Sequence, residues 1–192
     1  YLVRLSGHME ADDNSVLLNY YLQCFSEFER IGDYAVNLTE SAEELHARGA
    51  QFSTTARQEL AVLQDALHEI MGYAADAFPT RRARVARHIE PVEEVVDDMV
   101  ATLRTNHIRR LRDGQCTVYA GLVFLDILIN AERIADQCSN LGVYTISQFD
   151  PSVMNSHHEY IHRLHQGNDP VFNREYQEKH EKYFGMLSAI ND

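Results

Sequence analysis

The sequence predicts an all-α fold, and three observations carry that expectation. Glycine and proline together make up only 13 of 192 residues (9 and 4), so long elements run without breakers. Apolar residues recur at spacings of three and four along most of the chain, the period of a helix buried on one face. No stretch shows the two-residue alternation of a strand. With 45% hydrophobic and 24% charged residues, the chain can bury a core, which excludes intrinsic disorder as its main state.

Each element follows from local signals. Residues 1–6 read as the tail of a helix stopped by Gly7, and Asp12, Asp13, Asn14 and Ser15 offer N-cap oxygens for the next. That second helix runs to about Arg48, before Gly49. Ser53 or Thr54 caps a third, with Leu60, Leu63, Leu67 and Ile70 on its inner face, ending before Pro79. The next is expected over about Thr80 to Arg112, kinked or broken at Pro91 and stopped by Gly114. Another runs from about Thr117 to Gln148. A short helix to about Gln166, the turn Gly167-Asn168-Asp169-Pro170 and a terminal helix complete the chain.

An internal repeat organises these helices. Glu29-Arg30-Ile31-Gly32-Asp33 with Asn37-Leu38 returns 103 residues later as Glu132-Arg133-Ile134-Ala135-Asp136 with Asn140-Leu141. The expected architecture is two repeated three-helix bundles side by side. Residues 1–78 form the first, with its first helix mostly missing. Residues 79–150 supply the core helices of the second, and the tail 151–192 completes it. The chain opens at Tyr1, inside an apolar run, and reads as a fragment.

The acids on the apolar stripes carry the chemistry. Residues four apart stack on a helix. Leu18, Leu22, Phe25, Glu29, Asp33 and Val36 share one stripe, and Leu122, Leu125, Ile129, Glu132, Asp136 and Ser139 share its counterpart. On the helix before Gly114, Glu93 lies closest to the apolar face, followed by Asp97 and Glu90. Carboxylates converging inside a bundle cost several kcal/mol unless a cation or donor answers them. Glu29, Asp33, Glu90, Glu93, Asp97, Glu132 and Asp136 are therefore the candidate ligands of a hard cation, Mg, Ca, Mn or iron. The competing reading is an arginine–carboxylate network, since Arg30 and Arg133 directly follow the glutamates.

Other features weigh less. The formal charge of −12 argues against a nucleic-acid partner. Three cysteines read as reduced thiols. The longest apolar stretch, Ala120 to Ile129, is too short to span a bilayer. His157, His158, His162 and His165 read as a solvated helix rather than a zinc site. Glu43-x-x-His46 and Glu159-x-x-His162 mimic the ligands of di-iron enzymes but do not sit at equivalent repeat positions. Arg81, Arg82, Arg84 and Arg87 form one basic run, and Arg104, Arg109, Arg110 and Arg112 a second. Both read as solvated faces, or more sharply as docking sites for transporter loops or anionic lipid heads. Helices apolar on several sides, through Val123, Ile127, Ile134 and Leu141, also predict a homodimer or cover from the tail.

The doubled E-R-I-[GA]-D-x-x-x-N-L motif resembles the signature of the PhoU domain family. The resemblance implies two three-helix bundles whose motifs hold metal ions, including iron clusters, and a cytoplasmic, non-enzymatic role in phosphate uptake and signalling. His107 to Cys116, Asn130 to Asp136 and the tail His158 to His162 with Gly167 to Pro170 look like the PhoU domain that follows the membrane part of bacterial sodium/phosphate cotransporter-like proteins. That likeness implies a membrane transporter part, in the same or another chain, as partner, at the inner face of the cell membrane. The alternatives are a free-standing regulator of a phosphate-specific transporter and its sensor kinase, and a carboxylate-bridged di-metal enzyme.

Overall fold

The computed structural model describes residues 12–150, 152–153 and 156–191. The expected helix tail over residues 1–6 lies outside them. The described elements are α1 (Asp12–Ala47), α2 (Thr54–Thr80), α3 (Ala83–Ala86), α4 (Ile89–Arg112), α5 (Val118–Ser147), α6 (His157–Arg163) and α7 (Pro170–Asn191). No strand occurs among the described residues, so the fold is all-α, as the spacing of apolar residues requires.

Local chemistry sets the boundaries. Ser53 Oγ accepts the Ala56 amide at 3.1 Å and Thr117 Oγ1 the Ala120 amide at 3.2 Å, satisfying amides that the first turns of α2 and α5 leave free. Gly49 and Gly114 follow α1 and α4 at φ 63° and 69°, backbone that costs glycine little. Two boundaries depart from expectation. α2 continues through Pro79 to Thr80 and closes on Arg81 at φ 47°, since a proline in the last turn removes only one amide from a ladder about to end. The break expected at Pro91 falls earlier, at Arg87 and His88. Pro91 sits in the first turn of α4, where its missing N–H is one no helix would have used.

α5 is the centre of the molecule. α1 packs antiparallel along it, while α2 and α4 pack on its other sides and α7 covers α2 and α4. On its covered sides Phe124, Leu128, Ala135 and Cys138 are fully enclosed, while Val118, Leu122 and Ile129 remain exposed. Gly142 allows the closest approach, since a Cβ there would stand 3.3 Å from the Ala86 carbonyl oxygen and 3.2 Å from the Ile89 side chain. Cys24 and Cys138 are buried free thiols and Cys116 is half-buried.

The seam between α1 and α5 carries the internal repeat. Asn37 Nδ2 donates to Asn130 Oδ1 at 3.2 Å, and Asn140 Nδ2 donates to Glu27 Oε2 at 3.5 Å. These two bonds exchange under the repeat offset. So do Arg30, which donates to Gln137 Oε1 at 3.4 Å, and Arg133, whose guanidinium lies 5.6 Å from the ring centre of Tyr34. The seam is thus a local two-fold arrangement, and the motif's arginines and asparagines act across it.

The inward-pointing stripes expected on α1 and α5 are both corrected: on α5, Leu122, Ile129 and Asp136 are exposed and Leu125, Glu132 and Ser139 half-buried. The stripe of Leu22, Phe25, Glu29, Asp33 and Val36 does not point into the bundle; all five side chains are exposed. Tyr20, Cys24 and Glu27 face inward instead. Tyr20 fixes this rotation, its hydroxyl standing 3.2 Å from Thr145 Oγ1 and 3.3 Å from the Phe78 carbonyl.

Candidate metal centre

The acids of α4 and α5 converge; those of α1 stay apart. Glu93, Asp97 and Asp136 each bring a carboxylate oxygen within 4.8 Å of the others. Glu90, Glu93 and His165 form a second such group, so Glu93 belongs to both. The apolar face of α4, through Val92, Val95, Val96 and Met99, seats the helix against the core and turns Glu90, Glu93 and Asp97 toward α5. Glu132 stands beside the centre but engages Arg104 Nη2 at 3.4 Å. Glu29 and Asp33 join no such group among the described residues.

Two carboxylates of this centre lack the answer that burial demands. Glu93 is only 8% exposed. Burial, then the charges of Glu90, Asp97 and Asp136, push its pKa far above the ordinary glutamate range. Burial, then Asp136 and Glu132, raise Asp97 to about 7, and its Oδ1 is buried without a hydrogen-bond partner. Asp136 is raised by burial and by Glu132. Glu90 is better served: Ser139 Oγ donates to one oxygen at 2.5 Å, and His165 Nε2 lies 2.9 Å from the other.

Glu59 shows an acid answered by an opposite charge. It is fully buried on α2, with Arg110 Nη2 2.7 Å from Oε2, an ion pair without hydrogen-bond geometry, and Asn106 Nδ2 donating to Oε1 at 2.9 Å. Arg110 is thereby removed from the basic surface run expected over Arg104 to Arg112, for its side chain is 8% exposed. Glu69, also on α2, is held down to about 2 by Lys179, Lys182 and Tyr183 of α7 against the upward pull of burial.

The donor set of the α4–α5 centre is mostly oxygen and anionic, which fits a hard cation, and Glu93 is shared by the two groups. Sequence spacing did not reveal His165. It arrives from the tail on a wide turn over Leu164–Asn168, bent where Gly167 takes φ 75°, and stands 3.3 Å from Glu94 Oε2 as well. Neither Glu43 and His46 nor Glu159 and His162 contribute to it.

Comparison with known proteins follows the same helices. No solved structure matches the chain. It is 26% identical over 120 residues to the phosphate-specific transport system accessory protein PhoU homolog 1 of Thermotoga maritima, covering 62% of this chain and 51% of that protein. The chain thus spans about half the length of the curated relative it matches. The PhoU domain family model matches residues 60–145, the stretch that holds most of α2, all of α4 and nearly all of α5, and with them every α4 and α5 acid of the centre.

Proposed function

We propose that this chain is a non-enzymatic regulatory module of phosphate transport. In this reading Glu90, Glu93, Asp97 and Asp136 hold divalent or iron-type cations, with Glu132 and His165 at the margin. The observation that carries it is the overlap of the PhoU domain match over residues 60–145 with the converging acids. The bound cation would supply the positive charge that Glu93 and Asp97 lack, locking α4 to α5 and fixing the surface offered to a partner. Two repeats, residues 1–78 and 79–150 with the tail 151–192, are the organisation proposed, supported by the exchanging contacts of the α1–α5 seam.

The partner proposed is the membrane part of a sodium/phosphate cotransporter-like protein at the inner face of the cell membrane. The name of the Thermotoga relative favours a second reading, a free-standing accessory protein of a phosphate-specific transporter. No helix among the described residues is long and apolar enough to cross a membrane.

The test pairs two measurements: metal content of chelator-free protein, and phosphate uptake in cells carrying wild type or Glu93→Ala/Asp136→Ala. The variant should lose bound metal and misregulate uptake. Equal metal content in both proteins would refute the cation reading; unchanged uptake on deleting the gene would refute the regulatory one.

A further inference from the structure

Arg81, Arg82, Arg84 and Arg87 lie on the connection between α2 and α4, and all four are exposed. None forms an ion pair among the described residues. In a chain with 29 acids against 17 basic residues, four guanidiniums within seven positions, none in an ion pair, repel one another. The end of α2 favours a cation through its free carbonyls, but that effect is confined to the last turn and accounts for one arginine, not four. Asp150 and Asp169 stand near the group, and Glu175 is engaged by His88 at 3.0 Å.

Around these arginines two open hollows adjoin, of about 690 and 350 Å³, sharing Arg84 and His88. Their rims carry Phe149, 61% exposed, and Val171, 54% exposed. Cations interleaved with exposed apolar side chains on an open end of a bundle match the boundary of a bilayer. There guanidiniums meet lipid phosphates while apolar side chains enter among the acyl chains. A fluid headgroup layer meets both kinds of side chain without the fixed complementary surface that an acidic protein partner would need. The net acidic charge of the chain as a whole would be repelled by the same surface, which turns this end toward it. We propose that the arginine end of the bundle docks on the headgroup surface of an anionic membrane, independently of the metal centre.

Vesicle sedimentation of the full chain tests this, with phosphatidylcholine alone and mixed with phosphatidylglycerol. Binding is expected only to the mixed vesicles and should vanish at high salt. Each arginine near an anionic leaflet is worth about fivefold in binding, so Arg82→Gln/Arg84→Gln should weaken it roughly 25-fold. Arg82→Lys/Arg84→Lys should keep most of it, and Phe149→Ala should weaken it without changing its salt dependence. Arg57→Gln/Arg109→Gln, at the other end of the bundle, should bind as wild type. Failure of the wild type to bind mixed vesicles, or equal weakening by the distant pair, would overturn the proposal. Release by inorganic phosphate at matched ionic strength would reassign the arginines to a phosphate-ion site, and release by an equally charged acidic peptide to a protein partner. If the glutamine pair proves unfolded, the lysine pair and Phe149→Ala decide.

Discussion

Glu29 and Asp33 on α1 occupy the same repeat positions as Glu132 and Asp136 on α5, yet their surroundings differ. α5 is flanked by α4, whose acids approach Asp136 to form a cluster. No described acid joins Glu29 and Asp33 on α1 in such a cluster; both face solvent with Val36, while Phe25, about half exposed, meets the rings of Tyr21 and Phe78. The same motif is therefore a surface feature in one repeat and part of a strained acidic centre in the other. A motif of this kind supplies half a site; the helix packed beside it supplies the rest.

The largest difference should appear in stability. Phe25 and Leu128 are repeat equivalents, the first 48% exposed and the second fully buried. Leu128→Ala should cost about 3–4 kcal/mol and Phe25→Ala about 1 kcal/mol or less, read from urea unfolding. Similar costs at both positions would mean that α1 is covered on that face in solution.

Cation binding should divide the repeats next. Glu93→Gln removes a charge from both ligand groups and should weaken manganese binding at least tenfold by titration calorimetry, whereas Glu29→Gln/Asp33→Asn should change it by less than about twofold. Equal losses from both variants would place a second centre on α1.

The pH response follows with a definite sign. Without metal, Glu93 and Asp97 bind protons more tightly folded than unfolded. The stability they contribute is fully present below their unfolded values, 4.5 and 3.8, and drains away as pH rises, through about 7 for Asp97 and higher for Glu93. In the presence of chelator, Glu93→Gln should flatten that decline. Glu69 works in the opposite sense. Its stability is present above 4.5 and lost as pH falls toward about 2, so Glu69→Gln should blunt acid unfolding. A wild type that gains stability steadily from neutral to alkaline pH would contradict the assignment at Glu93.

The smallest effect concerns the seam. Asn37→Ala and Asn140→Ala each remove one of the two exchanging hydrogen bonds and should cost about 1 kcal/mol apiece, nearly additively in the double variant. A cost confined to one of them would show that the two halves of the seam are not equivalent in strength.

Much of this was readable from residue types. Serine and threonine caps and the glycine stops depend on chemistry within four residues, so Ser53, Thr117, Gly49 and Gly114 stand where their types predict. Glu93 and Asp97 were legible because α4 has one clear apolar face and the acids border it. α1 was not, because its apolar residues are spread around the helix and only Tyr20's contacts with Phe78 and Thr145, from distant segments, select the inward face. The same holds for His165, which is 75 residues from Glu90 and meets it only once the tail packs beside α4. Pro91 misled for a simpler reason: proline breaks a helix interior but suits a helix start, and the break at Arg87 and His88 made it part of a first turn.

The paired contacts across the α1–α5 seam have a consequence for how such a chain arises. A half-length ancestor meeting its own copy would make each of these contacts twice, around a true two-fold axis. Duplication and fusion leave both copies in one chain, free to diverge. Glu27 opposite Asn140, where Asn130 faces Asn37, is one place where the twins have already parted.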